Sequence, residues 1–341
     1  MSNLRFSSRL VAAVAVGLVF VSCTQGKRAA RPRLGFVLAT LNEERYAKDR
    51  RFFEELAARK GADVEFAACD DKVSVQAAKV EALLAKRVDA LVLQPVNGEA
   101  ASPLVAMAKR DGVPVVAYDR LVRNADVDVY VTQDSFRVGV LQAEAAVAAT
   151  GGRGNYVILM GEAGHSVAEE ITRGVRSVLD RNARIKVVVQ QSHPGWSTSA
   201  ALATVENALT RHGNDIQAIL ANNDGMALGA VQALEEQKLA AKVFVGGADA
   251  DLPAIRNILR GRQAMTVLKG IQPLAEAAVE AALALARRGP VAADAKVHNG
   301  LKEIPVINTP VVVITKDNVR ELVVDSGFHS YDAVFGRGPA E

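Results

Sequence analysis

Arg45, Asn97, Asp119, Arg120, Asn223, Asp224 and Asp249 share a placement: each stands at, or a few residues beyond, the end of a short apolar run. The runs are 34–39, 90–93, 115–118, 218–221 and 243–247. Planar carboxylate, amide and guanidinium groups each bridge neighbouring hydroxyls with two hydrogen bonds, and charge strengthens those bonds. Ligands of open α/β sheets sit beyond the carboxyl ends of the strands, so such a series of endings predicts one pocket for a small hydroxylated molecule. Trp196, the single tryptophan, joins the candidates because Pro194, Gly195 and Ser197 around it read as a loop. Its ring offers a flat apolar surface to the C–H groups of such a molecule.

The elements that must position these residues follow from periodicity. Beyond residue 34, short Val-rich runs alternate with longer Ala-rich, charge-patterned ones. Strands are predicted near 34–39, 63–67, 89–93, 114–118, 155–160, 186–190, 217–221, 242–246 and 264–268, with helices between most of them. Continuous apolar runs fit parallel strands covered by helices on both faces. A length of 341 residues accommodates two such lobes. The fold class is therefore α/β, with two doubly wound parallel-sheet lobes. Residues 128–134 are strand-like, follow the fourth strand without a helix and precede a second β/α series, which places the first passage between lobes there.

The first 22 residues read as an export signal: Arg5 and Arg9, an apolar stretch at 10–21, then Ser22. The stretch is shorter than the ~20 residues of a spanning helix. Cys23, directly after a small residue, resembles the lipidated cysteine of bacterial lipoproteins, which would leave 23–33 as a lipid-anchored tether and hold the protein to a membrane in the periplasm or cell envelope. The other cysteine, Cys69, follows an apolar run and is expected to be a buried thiol.

Other chemistries find little support. A net charge of +3, much of it near the N-terminus, gives no footprint for nucleic acid. No CxxC or HExxH spacing argues for a metal, and no cofactor is called for. Gly151, Gly152 and Gly154 follow a helix and precede a strand, the reverse of a dinucleotide loop, so a helix C-cap and turn is expected. Residues 164–168 (Gly-His-Ser-Val-Ala) echo a nucleophile elbow, but His193, His212, His298 and His329 lack a triad context. No catalytic residue is assigned.

The chain resembles the type I periplasmic sugar-binding proteins, and among them the D-xylose-binding proteins of ABC importers. The matching stretches are Glu44-Arg45-Tyr46-Ala47-Lys48-Asp49-Arg50, Ala117-Tyr118-Asp119-Arg120, Gly195-Trp196, Asn223-Asp224, Asp249-Ala250-Asp251-Leu252, Met265-Thr266-Val267-Leu268-Lys269 and Asn299-Gly300-Leu301-Lys302. The resemblance implies that Arg45, Asp119, Arg120, Trp196, Asn223, Asp249 and Lys269 line a sugar cleft. It also implies a three-segment hinge, near 132–135, 266–269 and 303–308. The expected first lobe is 34–133 with 268–304, the second 134–267 with 305–335, and 336–341 a tail.

The match has gaps. An Asp-Asn-Asn run of the xylose binders is replaced at Ser166, Val167 and Ala168, and His165, Ser166 and Glu169 are the candidates to supply substitute contacts. Ala248 stands where a Gln is common, and Ala39 and Thr40 replace an acidic pair. The expectation is a monomeric, non-enzymatic lipoprotein that captures a monosaccharide, a xylose-like pentose or related sugar, and delivers it to ABC permease subunits. The alternative is a sensor that presents the sugar to a membrane receptor. A repressor of the lactose type would carry a helix-turn-helix where this chain has an export signal, and a hydrolase would need more than the Ser166 pattern.

Overall fold

The computed structural model describes Met1 and residues 31–336; the rest of the expected export signal, Cys23 and the end of the tail lie outside the described residues. The strands are β1 (Arg33–Leu38), β2 (Asp63–Ala68), β3 (Ala90–Leu93), β4 (Val115–Tyr118), β5 (Val129–Gln133), β6 (Gly154–Met160), β7 (Ile185–Ser192), β8 (Ala218–Ala221), β9 (Phe244–Ala248), β10 (Met265–Lys269), β11 (Ala295–His298), β12 (Glu303–Thr309) and β13 (Val311–Ile314). They form two sheets, one ordered β11-β12-β5-β4-β3-β1-β2 and the other β13-β10-β9-β8-β6-β7. Every pairing is parallel except β11 with β12 and β10 with β13.

Burial explains the Val-rich runs. β3, β4, β5 and β8 are buried at every position, as strands covered on both faces must be. The outer strand β7 is only partly buried and carries Lys186, Gln190 and Gln191, polar groups suited to an edge. In the first sheet Phe36 stacks on Phe53 of the helix Glu44–Arg59 at 4.0 Å between ring centroids, and meets the edge of Tyr118 at 5.3 Å. Cys69 is buried, as expected, and burial pushes its thiol up to about 11. Gly151 caps the helix Ser135–Thr150 in the left-handed conformation, which removes the phosphate-loop reading.

Two close approaches matter for the site. A Cβ on Gly139 would lie 1.9 Å from the Ile171 carbonyl, and one on Gly174 would lie 2.1 Å from that of Phe136. The helices Ser135–Thr150 and Ser166–Leu179 therefore pack backbone to backbone, fixing the loop that leads into the second helix.

The chain passes between the sheets three times. The first passage is at Asp134, within the expected segment; its carboxylate accepts from the Arg137 amide at 2.9 Å and caps the next helix. The second falls at Gly270 and the third at Pro310, each later than expected, because Lys269 still belongs to β10 and Thr309 to β12. The expected lobe bounds at 268 and 304 shift to 270 and 310 accordingly. β11, β12 and β13 are additions to the expected strands. Pro305 obscures β12 in the sequence, yet the ladder to β5 begins only at Val306, so its missing N–H costs that pairing nothing.

Candidate functional site

The loops beyond β1, β4, β8 and β9 converge where the two sheets face one another. Arg45 lies in the first turn of its helix, so Asp49 stands one turn further on the same face. The buried guanidinium reaches three carboxylates: Nε to Asp49 Oδ2 at 3.3 Å, Nη2 to Asp119 Oδ1 at 3.3 Å and Nη1 to Asp249 Oδ1 at 3.9 Å. Asp49 also accepts from the Tyr118 hydroxyl, so the fork is anchored from behind.

Asp119 adopts a left-handed φ of 62°, uncommon outside glycine. Its carbonyl accepts from the hydroxyls of Tyr130 at 2.8 Å and Thr132 at 3.1 Å, and its carboxylate accepts from Gln94 Nε2 at 2.9 Å. Burial alone would raise its pKa; the cations Arg45, Lys269 and Arg120 more than offset that and hold it down to about 2.

From the second lobe, Asp249 (φ 106°) and Ala250 (φ 56°) turn sharply after β9. That turn directs Asp249 Oδ1 to Lys269 Nζ, at 2.6 Å. Asp224 braces the turn from beneath, accepting from the Asp251 amide at 3.0 Å, Thr266 Oγ1 at 2.8 Å and Gln263 Nε2 at 3.0 Å. Burial first, then Asp251 and Asp249, push the Asp224 carboxyl well above its usual range. Asn223 caps the helix Asp224–Glu236 through the Met226 amide at 2.9 Å. The Trp196 ring ends a 3-10 turn, Pro194–Trp196, and lies on Gly161, where a Cβ would stand 2.5 Å from the indole.

Arg45, Asp119, Trp196, Asn223, Asp249 and Lys269 thus line one narrow cavity of ≈ 30 Å³ between the lobes. Arg120, the seventh expected residue, faces instead the adjoining mouth of ≈ 270 Å³. It donates to the Tyr46 hydroxyl at 2.9 Å and the Pro95 carbonyl at 3.3 Å. Asn97 also lines the mouth.

Sequence reasoning passed over Glu43, Tyr46 and Val167 as cavity residues. Tyr46 sits beside Arg45 in a quoted motif, so a signal existed; Val167 gave none. Of the three candidates for substitute contacts, only His165 reaches the cavity. Ser166 Oγ accepts from the Leu121 amide at 3.0 Å, and Glu169 pairs with Arg123 at 2.5 Å, both across the lobes. Ser166 thus shows no nucleophile geometry. Asn299 is structural: its amide donates to the carbonyls of Val122 at 3.1 Å and Ala125 at 2.7 Å.

Two α/β lobes, three crossings and a polar cavity at facing strand ends define a hinged solute-binding protein. A family model described as periplasmic binding protein domain matches residues 34–290, and the chain belongs to that family. It is 38% identical over 335 residues to the D-xylose-binding periplasmic protein of Haemophilus influenzae, covering 97% of this chain and 100% of that one. It is 38% identical over 304 residues to the protein of the same name from Escherichia coli, covering 88% and 92%. Among solved structures, a carbohydrate transporter solute-binding protein from Chloroflexus aurantiacus, in complex with D-glucose, superposes with a TM-score of 0.82 at 32% identity over 88% of this chain and 97% of that one. These relatives are solute-binding proteins rather than enzymes.

Proposed function

We propose that the protein captures a monosaccharide, a xylose-like pentose or related sugar, in the interlobe cavity and delivers it to an ABC importer. The observation that carries this reading is the meeting of Arg45 and Asp119 from one lobe with Trp196, Asn223, Asp249 and Lys269 from the other. Carboxylates accept from adjacent sugar hydroxyls, the guanidinium and ammonium donate to sugar oxygens, and the indole covers a C–H face. A missing or inverted hydroxyl would leave one of these buried groups unpaired, which is the physical source of selectivity.

Walls as close as Arg45 and Asp249, 3.9 Å apart, require the lobes to part before a sugar ring enters. A ligand bridging both walls then favours closure, and the closed form is what a permease would read. The sequence at 10–23 supports export and a lipid anchor at Cys23. Mass spectrometry of the mature N-terminus tests the anchor. A thermal-shift screen of residues 27–341 against D-xylose, D-glucose and xylitol tests the ligand class. A sugar at 100 times its Kd adds about 2.7 kcal/mol to stability. No shift with any pentose, hexose or polyol would remove the reading.

A further inference from the structure

The loop after β6, where it enters the helix Ser166–Leu179, sends two side chains to the cavity, His165 at the N-cap and Val167 in the first helical turn. Val167 offers no hydrogen bond, so any polar contact this loop makes with a ligand falls to His165. The imidazole Nδ1 accepts from the Val167 amide at 3.3 Å, capping the helix. Burial first, then the nearby Arg120, hold the ring's pKa well below its usual value, so it is neutral. A neutral ring whose Nδ1 accepts must carry its hydrogen on Nε2. Nε2 is buried and has no hydrogen-bond partner among the described residues. The ring meets Trp196 at 84°, centroids 5.0 Å apart, so the donor stands beside the indole that walls the cavity.

We propose that His165 contacts the ligand directly, its Nε2–H donating to a hydroxyl or ring oxygen of the sugar that lies on Trp196. The inference rests on the sugar-binding reading and adds a specificity determinant to it. An oxygen must face His165, while a C–H or methylene group suffices opposite Val167.

The test uses isothermal titration of the mature protein with whichever of D-xylose, D-glucose and xylitol binds, together with its monodeoxy analogues. His165→Asn keeps an acceptor for the Val167 amide but withdraws the donor from the cavity; His165→Gln returns an amide N–H near the position of Nε2. The expected result is an affinity loss of about tenfold in H165N without loss of thermal stability, and a smaller loss in H165Q. One monodeoxy analogue should bind H165N and wild type alike, because the oxygen and its donor are a single coupled pair. Equal affinity of H165N and wild type, or the same proportional loss for every analogue, would overturn the proposal and leave His165 as a cap that packs on Trp196. Asp249→Ala separates the two levels of argument. If it weakens binding while H165N does not, only the role of His165 fails; if wild type binds none of the sugars, both readings fail.

Discussion

Asp249 carries the sharpest test of the charge network. Its Oδ1 lies 2.6 Å from Lys269 Nζ, with the side chains only 11% and 5% exposed. At an effective dielectric of about 20, that contact is an attraction of about 6 kcal/mol before desolvation. Desolvation takes back much of it, and removing one member of a buried pair costs about 3–5 kcal/mol because the other is left uncompensated. Asp249→Ala should therefore lower unfolding free energy by about 3–5 kcal/mol and weaken sugar binding by about 1–3 kcal/mol or more. The double variant Asp249→Ala/Lys269→Met removes both charges and should recover part of the stability but none of the binding. Urea unfolding followed by tryptophan fluorescence measures the first effect, and titration calorimetry the second. Stability within about 1 kcal/mol of wild type in the single variant, or a double variant no more stable than the single one, would refute the pairing argument. Unchanged sugar affinity would show that the cavity is not the site.

Gly161→Ala places a methyl 2.5 Å from the Trp196 indole and should tilt the ring away, weakening binding by about 1–3 kcal/mol in calorimetry while the fold persists. Arg123 and Glu169 touch across the lobes at 2.5 Å with side chains 34% and 45% exposed, so Glu169→Gln should cost no more than about 1 kcal/mol. That loss should appear as faster ligand release in stopped-flow kinetics; slower release would contradict a closing role. Asp119 has a folded pKa of about 2, below its unfolded value of about 3.9, so its contribution is present above pH 4 and is lost as pH falls toward 2. Asp119→Asn should remove about 2 kcal/mol of acid sensitivity from that window in pH-dependent unfolding, and an unchanged slope would count against the three cations as its cause.

The strand ends were legible because burial on both faces writes a parallel strand as an unbroken apolar run, and the first polar residue after it marks the loop. Arg45, Asp119, Asn223 and Asp249 were readable in this way, and the structure brings them together. Lys269 was not: it is the last residue of a strand rather than one beyond it, and only the family resemblance pointed to it. The bracing layer was also hidden. Gln94 joins the Ala39 amide at 3.0 Å to Asp119, and Asp224 holds the 249–251 turn, contacts between residues far apart in sequence that no local pattern encodes. Periodicity missed β11, β12 and β13 because they are partly exposed and so lack an unbroken apolar run, and β12 is also interrupted by proline.

In the proposed mechanism, the distribution of counterions lets so charged a cavity open. Arg45 keeps Asp49 and Asp119 on its own lobe, and Lys269 keeps Asp249 on the other, so each wall carries its own partners. Within the cavity, the contact between lobes is the longer one, Arg45 to Asp249 at 3.9 Å. Inside the cavity, parting the lobes therefore gives up a weak attraction that water readily replaces while the strong pairs there stay intact, and the Arg123–Glu169 and Leu121–Ser166 contacts outside it break separately. Had Arg45 relied on Asp249 alone, opening would strand a buried cation, and closure would cease to depend on a ligand. A neutral polyhydroxylated molecule entering this gap meets oriented donors and acceptors on both sides without having to supply charge, which is the electrostatic condition for closure to report on sugar rather than on salt.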